Sequence, residues 1–182
     1  MAEIILITGG ARSGKSSYAL KLAESLSSSR VYVATCPRPG ACTVDFQDDE
    51  LVGRIASHCR ERDGRGWCTV EESLDLVGVL QQRSEEVVLI DCLTLWVNNL
   101  LLDREQSLSE RDAVEICENL IDGCRVRAGT VLVVTNEVGW GVVPDNSMAR
   151  LFRDLIGRSN QTIAAAADRV FLVVCGLPLA LK

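Results

Sequence analysis

Residues Glu3 to Thr8 form an unbroken run of mostly branched aliphatic side chains, the pattern of a strand covered on both faces. From Lys15 to Leu26 the period changes. Ala19, Leu22, Ala23 and Leu26 recur at spacings of three and four, which predicts one apolar stripe along a helix. The alternation then repeats, with strands expected at Val31–Ala34, Cys68–Val70, Val87–Asp91, Thr130–Thr135 and Val170–Val174, the last closing the chain. Helices are expected around Asp48–Arg62, at Ser73–Gln82 and at Leu95–Leu102. Another begins at Ser109, where Asp112 completes a capping pattern ahead of the stripe Val114, Cys117, Leu120, Ile121 and Cys124. A final helix from about Asn146 carries Leu151, Phe152, Leu155 and Ile156 and reaches the run Ala164–Ala167. Strands alternating with helices predict an α/β fold with a mostly parallel central sheet flanked by helices.

The 182 residues contain no repeat, low-complexity tract or linker, so residues 1–182 are expected to form a single domain. The segment Pro37–Gln47, with two prolines and a glycine, is the expected mobile loop. The longest apolar runs are the length of strands, far short of the roughly 20 residues of a membrane span. The start of the chain carries no secretory pattern, and a cytoplasmic protein is expected. With 25 acidic against 19 basic residues the net charge is -6, which disfavours nucleic acid as a partner but leaves room for a local cluster that binds a small anion. The eight cysteines include no C-x-x-C pair and no histidine at zinc-ligand spacing. Cys92, Cys117, Cys124 and Cys175 are expected to act as small hydrophobes, and Cys36 and Cys42 are the pair whose state stays open.

Candidate chemistry begins at Gly9-Gly10-Ala11-Arg12-Ser13-Gly14-Lys15-Ser16, which matches G-x-x-x-x-G-K-[ST] between the first strand and the first helix. Glycines let successive backbone N–H groups wrap a phosphate, and the helix N-terminus adds the positive end of its dipole. Lys15 is expected to reach the β- and γ-phosphates, the Ser16 hydroxyl to bind Mg²⁺, and Arg12 to add a phosphate contact. Asp91, at the end of a buried strand, is the candidate acidic partner of Mg²⁺; a second reading makes it the cap of the next helix.

His58 is the sole histidine. Helical spacing stacks Arg54, His58 and Arg62 on one face, with Arg60 on the adjacent flank and Leu51 and Ile55 toward the core. Such a stripe attracts phosphate, and a neutral imidazole can attack phosphorus. A solvated basic face with an incidental histidine has the same spacing, so periodicity leaves both readings open. The segment Thr135–Pro144 follows a buried strand at its carboxyl end, where open α/β sheets bind ligands. Asn136, Glu137 and Trp140 make it either a site loop or a purely structural turn.

Taken together, the phosphate loop, Asp48-Asp49-Glu50 ahead of Arg54-Ile55 and His58, Thr135–Pro144 with Asp145-Asn146, and Arg153-Asp154, Gly157-Arg158, Asn160-Gln161 and Ala164–Asp168 resemble one family. It is the bifunctional adenosylcobinamide kinase / adenosylcobinamide-phosphate guanylyltransferase of adenosylcobalamin biosynthesis. The resemblance implies a RecA-like P-loop NTPase fold, a homotrimer, ATP and GTP as substrates with Mg²⁺, and adenosylcobinamide and its phosphate as acceptors. It implies a covalent GMP intermediate on His58, with Lys15 the other catalytic residue. Nucleotide contacts fall by resemblance on Gly9 to Ser16, Ala34, Thr35, Cys36, Cys59, Arg60, Glu61, Arg62, Glu71 and Asp91, with Arg65 the alternative to Arg62. A single-activity P-loop kinase for another small metabolite is the rival reading. A regulatory GTP-binding switch is a more distant one, because the chain has no Asn-Lys-x-Asp guanine motif.

Overall fold

The computed structural model describes residues 1–36 and 49–182. In chain order the elements are β1 (Glu3–Thr8), α1 (Lys15–Leu26), β2 (Arg30–Ala34), α2 (Asp49–Arg62), β3 (Cys68–Glu71), α3 (Leu76–Gln82), β4 (Val87–Asp91), α4 (Leu93–Asp103), α5 (Glu110–Arg125), β5 (Thr130–Val134), α6 (Ser147–Ala166), β6 (Arg169–Val174) and β7 (Leu177–Ala180). All seven strands belong to one sheet ordered β3-β2-β4-β5-β1-β6-β7, parallel except for β7. The expected loop 37–47, with Cys42, and Asp48 lie outside the described residues, as do the side chains of Asp49, Glu50, Leu51 and Arg54.

Successive side chains of a strand face opposite sides of the sheet, so the aliphatic runs build two apolar layers at once. Ile4 and Leu6 of β1, with Val88 and Ile90 of β4 and Val131 and Val133 of β5, pack beneath α3 to α6. Ile5, Ile7, Leu89, Leu132 and Val134 face the other way, against Ala19, Leu20 and Ala23 of α1. The inward stripe of α1 is rotated from the expected one: Leu20 is fully buried, whereas Leu26 is exposed. In α5 the cap box of Ser109 and Asp112 forms as the sequence suggests, and Arg125 ends the helix by donating to the carbonyls of Ala2 and Ala166 and to Asp168. That guanidinium, together with the Ile4 N–H, holds the Asp168 carboxyl below the usual carboxylate range.

Three expectations are corrected. The third helix starts at Leu76 rather than Ser73, because Glu72 accepts from the N–H groups of Leu74 and Asp75 and Asp75 caps the helix through the Gly78 N–H. The chain does not close at β6: residues Cys175 and Gly176, at φ +52° and +79°, turn it back into antiparallel β7. β7 contains Pro178, and an edge position is where a strand tolerates a proline. Cys175 is therefore exposed in a hairpin tip rather than packed as a hydrophobe.

The other three cysteines of that group are buried, and desolvation pushes Cys92 and Cys124 up to about 12 and Cys117 up to about 11. A neutral, enclosed thiol is a poor nucleophile. Alkylation of the folded protein at pH 8 is expected to modify Cys59, Cys68 and Cys175 and to spare Cys92, Cys117 and Cys124 until denaturant is added, as read by peptide mass mapping.

Candidate active site

The carboxyl ends of the central parallel strands open onto a cleft of about 1130 Å³. β1 leads into the loop Gly9–Gly14, and two of its glycines are required by close approaches. A Cβ on Gly9 would stand 2.5 Å from the Val173 carbonyl oxygen and 2.6 Å from Ser13 Oγ. Gly14 adopts φ +90°, and a Cβ there would come within 3.0 Å of Gly176 Cα. The β6–β7 turn thus backs the loop, and the Gly176 N–H donates to the Ser13 carbonyl at 2.8 Å. Gly14 is also the N-cap of α1 and supplies no capping side chain, which leaves the first N–H groups of that helix open to an anion.

Lys15 is almost fully buried and donates from Nζ to the Gly10 carbonyl at 3.1 Å. Burial lowers its pKa from the ordinary lysine value, and Cys92 and Asp91 oppose the shift. Ser16 and Asp91 both line the cleft. The Asp91 carboxylate accepts from the Tyr32 hydroxyl at 2.9 Å, and Asp91 does not cap α4, whose N-cap is Cys92. Burial, then the charge of Asp91, hold the Tyr32 phenol far above its usual range, so it remains a donor. Ser16 and Asp91 are hard oxygen donors beside a phosphate loop, the donor type that would suit Mg²⁺.

The opposite wall comes from α2. His58, Cys59, Arg60, Glu61 and Arg62 all line the same cleft, as do Ala34, Cys36 and Glu71. Arg62 is buried, donates to the His58 carbonyl at 2.8 Å, and lies 3.6 Å from the centre of the Tyr32 ring. Among the described residues no carboxylate pairs with this buried cation, which suits it to a phosphate. Arg65, by contrast, is tied to Glu24 outside the cleft. His58 is half-buried, and its Nδ1 is enclosed without a hydrogen-bond partner among the described residues.

Of the residues expected in the site, Ala11, Arg12, Ser13, Gly14, Lys15 and Ser16 line the cleft, and Gly9 and Gly10 shape the loop behind them. Thr35 is placed differently. It is fully buried under the floor, where its hydroxyl donates to the Cys92 carbonyl and accepts from the Cys92 N–H. The loop after β5 contributes Asn136, Glu137, Val138 and Gly141 to the cleft, while Trp140 points to solvent. Tyr32 was missed by sequence reasoning. Its signal was a lone aromatic hydroxyl inside an otherwise aliphatic strand.

A glycine loop between a buried strand and a helix, its lysine, and an aspartate at the end of a neighbouring strand define a P-loop protein that binds nucleoside triphosphates. Residues 5–181 match the model of the family described as cobinamide kinase / cobinamide phosphate guanyltransferase, CobU, and the chain belongs to that family. The bifunctional adenosylcobalamin biosynthesis protein CobU of Escherichia coli (strain K12) is 41% identical, over 98% of this chain and 99% of that protein. The bifunctional adenosylcobalamin biosynthesis protein CobP of Pseudomonas aeruginosa is 39% identical, over 97% of this chain and 96% of that protein. Among solved structures, a DnaB-like replicative helicase aligns with a TM-score of 0.49 at 13% identity, over 93% of this chain and 46% of that chain.

The Arg62–Tyr32–Asp91 stack ties α2 to the sheet edge, and its parts separate by mutation. Tyr32→Phe keeps the ring under Arg62 but loses the bond to Asp91, an expected cost of about 1 kcal/mol. Arg62→Ala removes both the stack and the bond to His58, with an expected cost of about 2 kcal/mol. Urea unfolding measures both; an Arg62→Ala protein as stable as wild type contradicts the assignment.

Proposed function

We propose that this cleft runs both reactions named for the family: phosphoryl transfer from ATP or GTP to adenosylcobinamide, and GMP transfer from GTP to the resulting phosphate. The observation that carries the reading is the convergence of His58 and Arg62 on the same cleft as the phosphate loop. A nucleotide seated there has its β- and γ-phosphates on the loop N–H groups and Lys15. Arg62, a buried guanidinium with no carboxylate partner among the described residues, balances charge nearer the α-phosphate.

For guanylyl transfer, Nε2 of neutral His58 forms a bond to the α-phosphorus as the bond to the bridging oxygen breaks and pyrophosphate leaves. The GMP is then held on the imidazole as a phosphoramidate. A phosphate oxygen of adenosylcobinamide phosphate attacks the same phosphorus, the P–N bond breaks, and adenosylcobinamide-GDP departs. Splitting the transfer in two spares the enzyme from holding a bulky corrinoid and a triphosphate in line together. Ser16 and Asp91 are the residues that would hold Mg²⁺, which when bound neutralises charge on the phosphate oxygens. Ala34, Cys36, Cys59, Arg60, Glu61 and Glu71 are proposed as the remaining nucleotide contacts. Thr35 is retained only as their support, through its bonds to Cys92.

A homotrimer, a cytoplasmic setting and a single domain over residues 1–182 belong to the same proposal. They rest on the family resemblance; among the described residues no helix is long and apolar enough to cross a membrane. The rival single-activity kinase shares the phosphate loop but gives His58 no covalent role.

Two variants separate these readings. His58→Ala is expected to lose guanylyl transfer by at least roughly 10³-fold while keeping measurable phosphoryl transfer, since the nucleophile serves one reaction only. Lys15→Ala is expected to damage both. Product analysis with adenosylcobinamide and its phosphate reads the two rates, and full guanylyl transfer by His58→Ala contradicts the proposal.

A further inference from the structure

Phosphoryl transfer to an alcohol leaves one proton to be placed, and Glu137 stands where it can be received. We propose that Glu137 is the general base of the kinase step. Glu137 follows β5, the strand between β4, which ends at Asp91, and β1, which ends at the phosphate loop. It therefore sits at the middle of the catalytic edge of the sheet. Its main-chain N–H donates to the Gly9 carbonyl at 3.1 Å, which couples it directly to that loop.

The carboxylate is held from one side. Oε1 accepts from Thr8 Oγ1 at 2.5 Å and from Asn160 Nδ2 at 3.4 Å, whereas among the described residues Oε2 takes no hydrogen bond, and the side chain lines the cleft. The buried amide of Asn160 is itself fixed: it donates to the Asn136 carbonyl at 3.1 Å and accepts from Thr135 Oγ1 at 2.7 Å. Behind it, Thr94 Oγ1 lies 3.2 Å from Thr135 Oγ1 and accepts from the Asn136 N–H at 2.9 Å. A carboxylate that lines a ligand cleft and is anchored through one oxygen, leaving the other without a hydrogen bond among the described residues, has the arrangement a proton acceptor needs. A strut alone has no use for the open oxygen.

Other ionisable side chains share the cleft: Arg12 and Lys15 on the loop side, Asp91 and Cys92 past β4, His58 and Arg62 on α2, and Glu71 on β3. From α6 the neutral Asn160 faces Glu137. Beyond it the loop exposes Trp140, Val142 and Val143, an apolar rim over which a bulky acceptor can present its hydroxyl.

In the proposed step the acceptor oxygen forms a bond to the γ-phosphorus and the bond from that phosphorus to the β,γ-bridging oxygen breaks. ADP or GDP leaves with the electron pair, and the hydroxyl proton passes to Oε2. Guanylylation of His58 uses no acceptor hydroxyl and does not call on Glu137. This inference rests on the two-reaction reading above, and the two-reaction chemistry supplies its control.

The test compares wild type with Glu137→Gln, Glu137→Asp and Thr8→Val, measuring nucleotide binding, phosphoryl transfer to adenosylcobinamide, and GMP incorporation from GTP. Glu137→Gln keeps an oxygen for Thr8 and Asn160 but accepts no proton. It is expected to lose roughly 10²-fold in kcat of phosphoryl transfer, with nucleotide affinity and GMP incorporation within about threefold of wild type. Glu137→Asp is expected to recover part of the rate. Thr8→Val removes the donor that fixes Oε1 and is expected to lower kcat of phosphoryl transfer, with KM for nucleotide and guanylylation unchanged. Kinase activity of Glu137→Gln within about threefold of wild type overturns the proposal. So does a parallel loss of nucleotide binding and guanylylation, which marks a structural strut. A wild-type chain that performs neither reaction overturns the function reading and this inference with it, before any variant is compared.

Discussion

The guanidinium of Arg62 lying on the Tyr32 ring, with the Tyr32 hydroxyl bonded to Asp91, holds the two halves of the site in one piece. The sheet can place a phosphate loop and an aspartate at its carboxyl edge by topology alone. It cannot by itself place a histidine from α2, a helix outside the sheet whose Arg62 lies over the Tyr32 ring of β2. The stacked arginine supplies that link, because a buried cation finds an aromatic face below and the His58 carbonyl beside it. Among the described residues no carboxylate pairs with it, and it lines the same cleft as the phosphate loop.

That shared position explains how one small protein can serve two transfers. In the proposed scheme the phosphate loop and Lys15 neutralise the outer phosphates and are common to both. The reactions differ in which phosphorus is attacked and by what. In the same proposed scheme His58 approaches from α2 and the acceptor from the loop after β5, so the two nucleophiles do not compete for space. The β6–β7 hairpin contributes rigidity from behind, where Gly176 touches the loop at Ser13 and Gly14.

Most of the architecture was open to reading because its signals are local. Uninterrupted aliphatic runs marked the buried parallel strands; Ser109 with Asp112 marked the start of α5; Gly9 to Ser16 marked the phosphate loop by residue type and context together. What escaped depends on partners distant in sequence. β7 is stabilised by pairing with β6 against the preference of its own Pro178, and α3 is shortened by Glu72 competing for its first N–H groups. The site shows the same division. Lys15 and Asp91 stood out from motif and position, whereas periodicity alone left His58 undecided between nucleophile and surface residue. The burial of Arg62 and the role of Tyr32 emerged only when β2, β4 and α2 were brought together in space. Thr35 was expected as a contact by family resemblance, and its hydroxyl turns inward to Cys92.

The account stands on a covalent bond between His58 and the α-phosphorus of GTP. Incubating the purified protein with GTP and Mg²⁺, without any corrinoid, and mapping the peptides by mass tests it directly. The expected result is a GMP adduct on the peptide containing His58, lost in acid and stable in base, with pyrophosphate released in equal amount. An unmodified protein, or an adduct on a different residue, contradicts it.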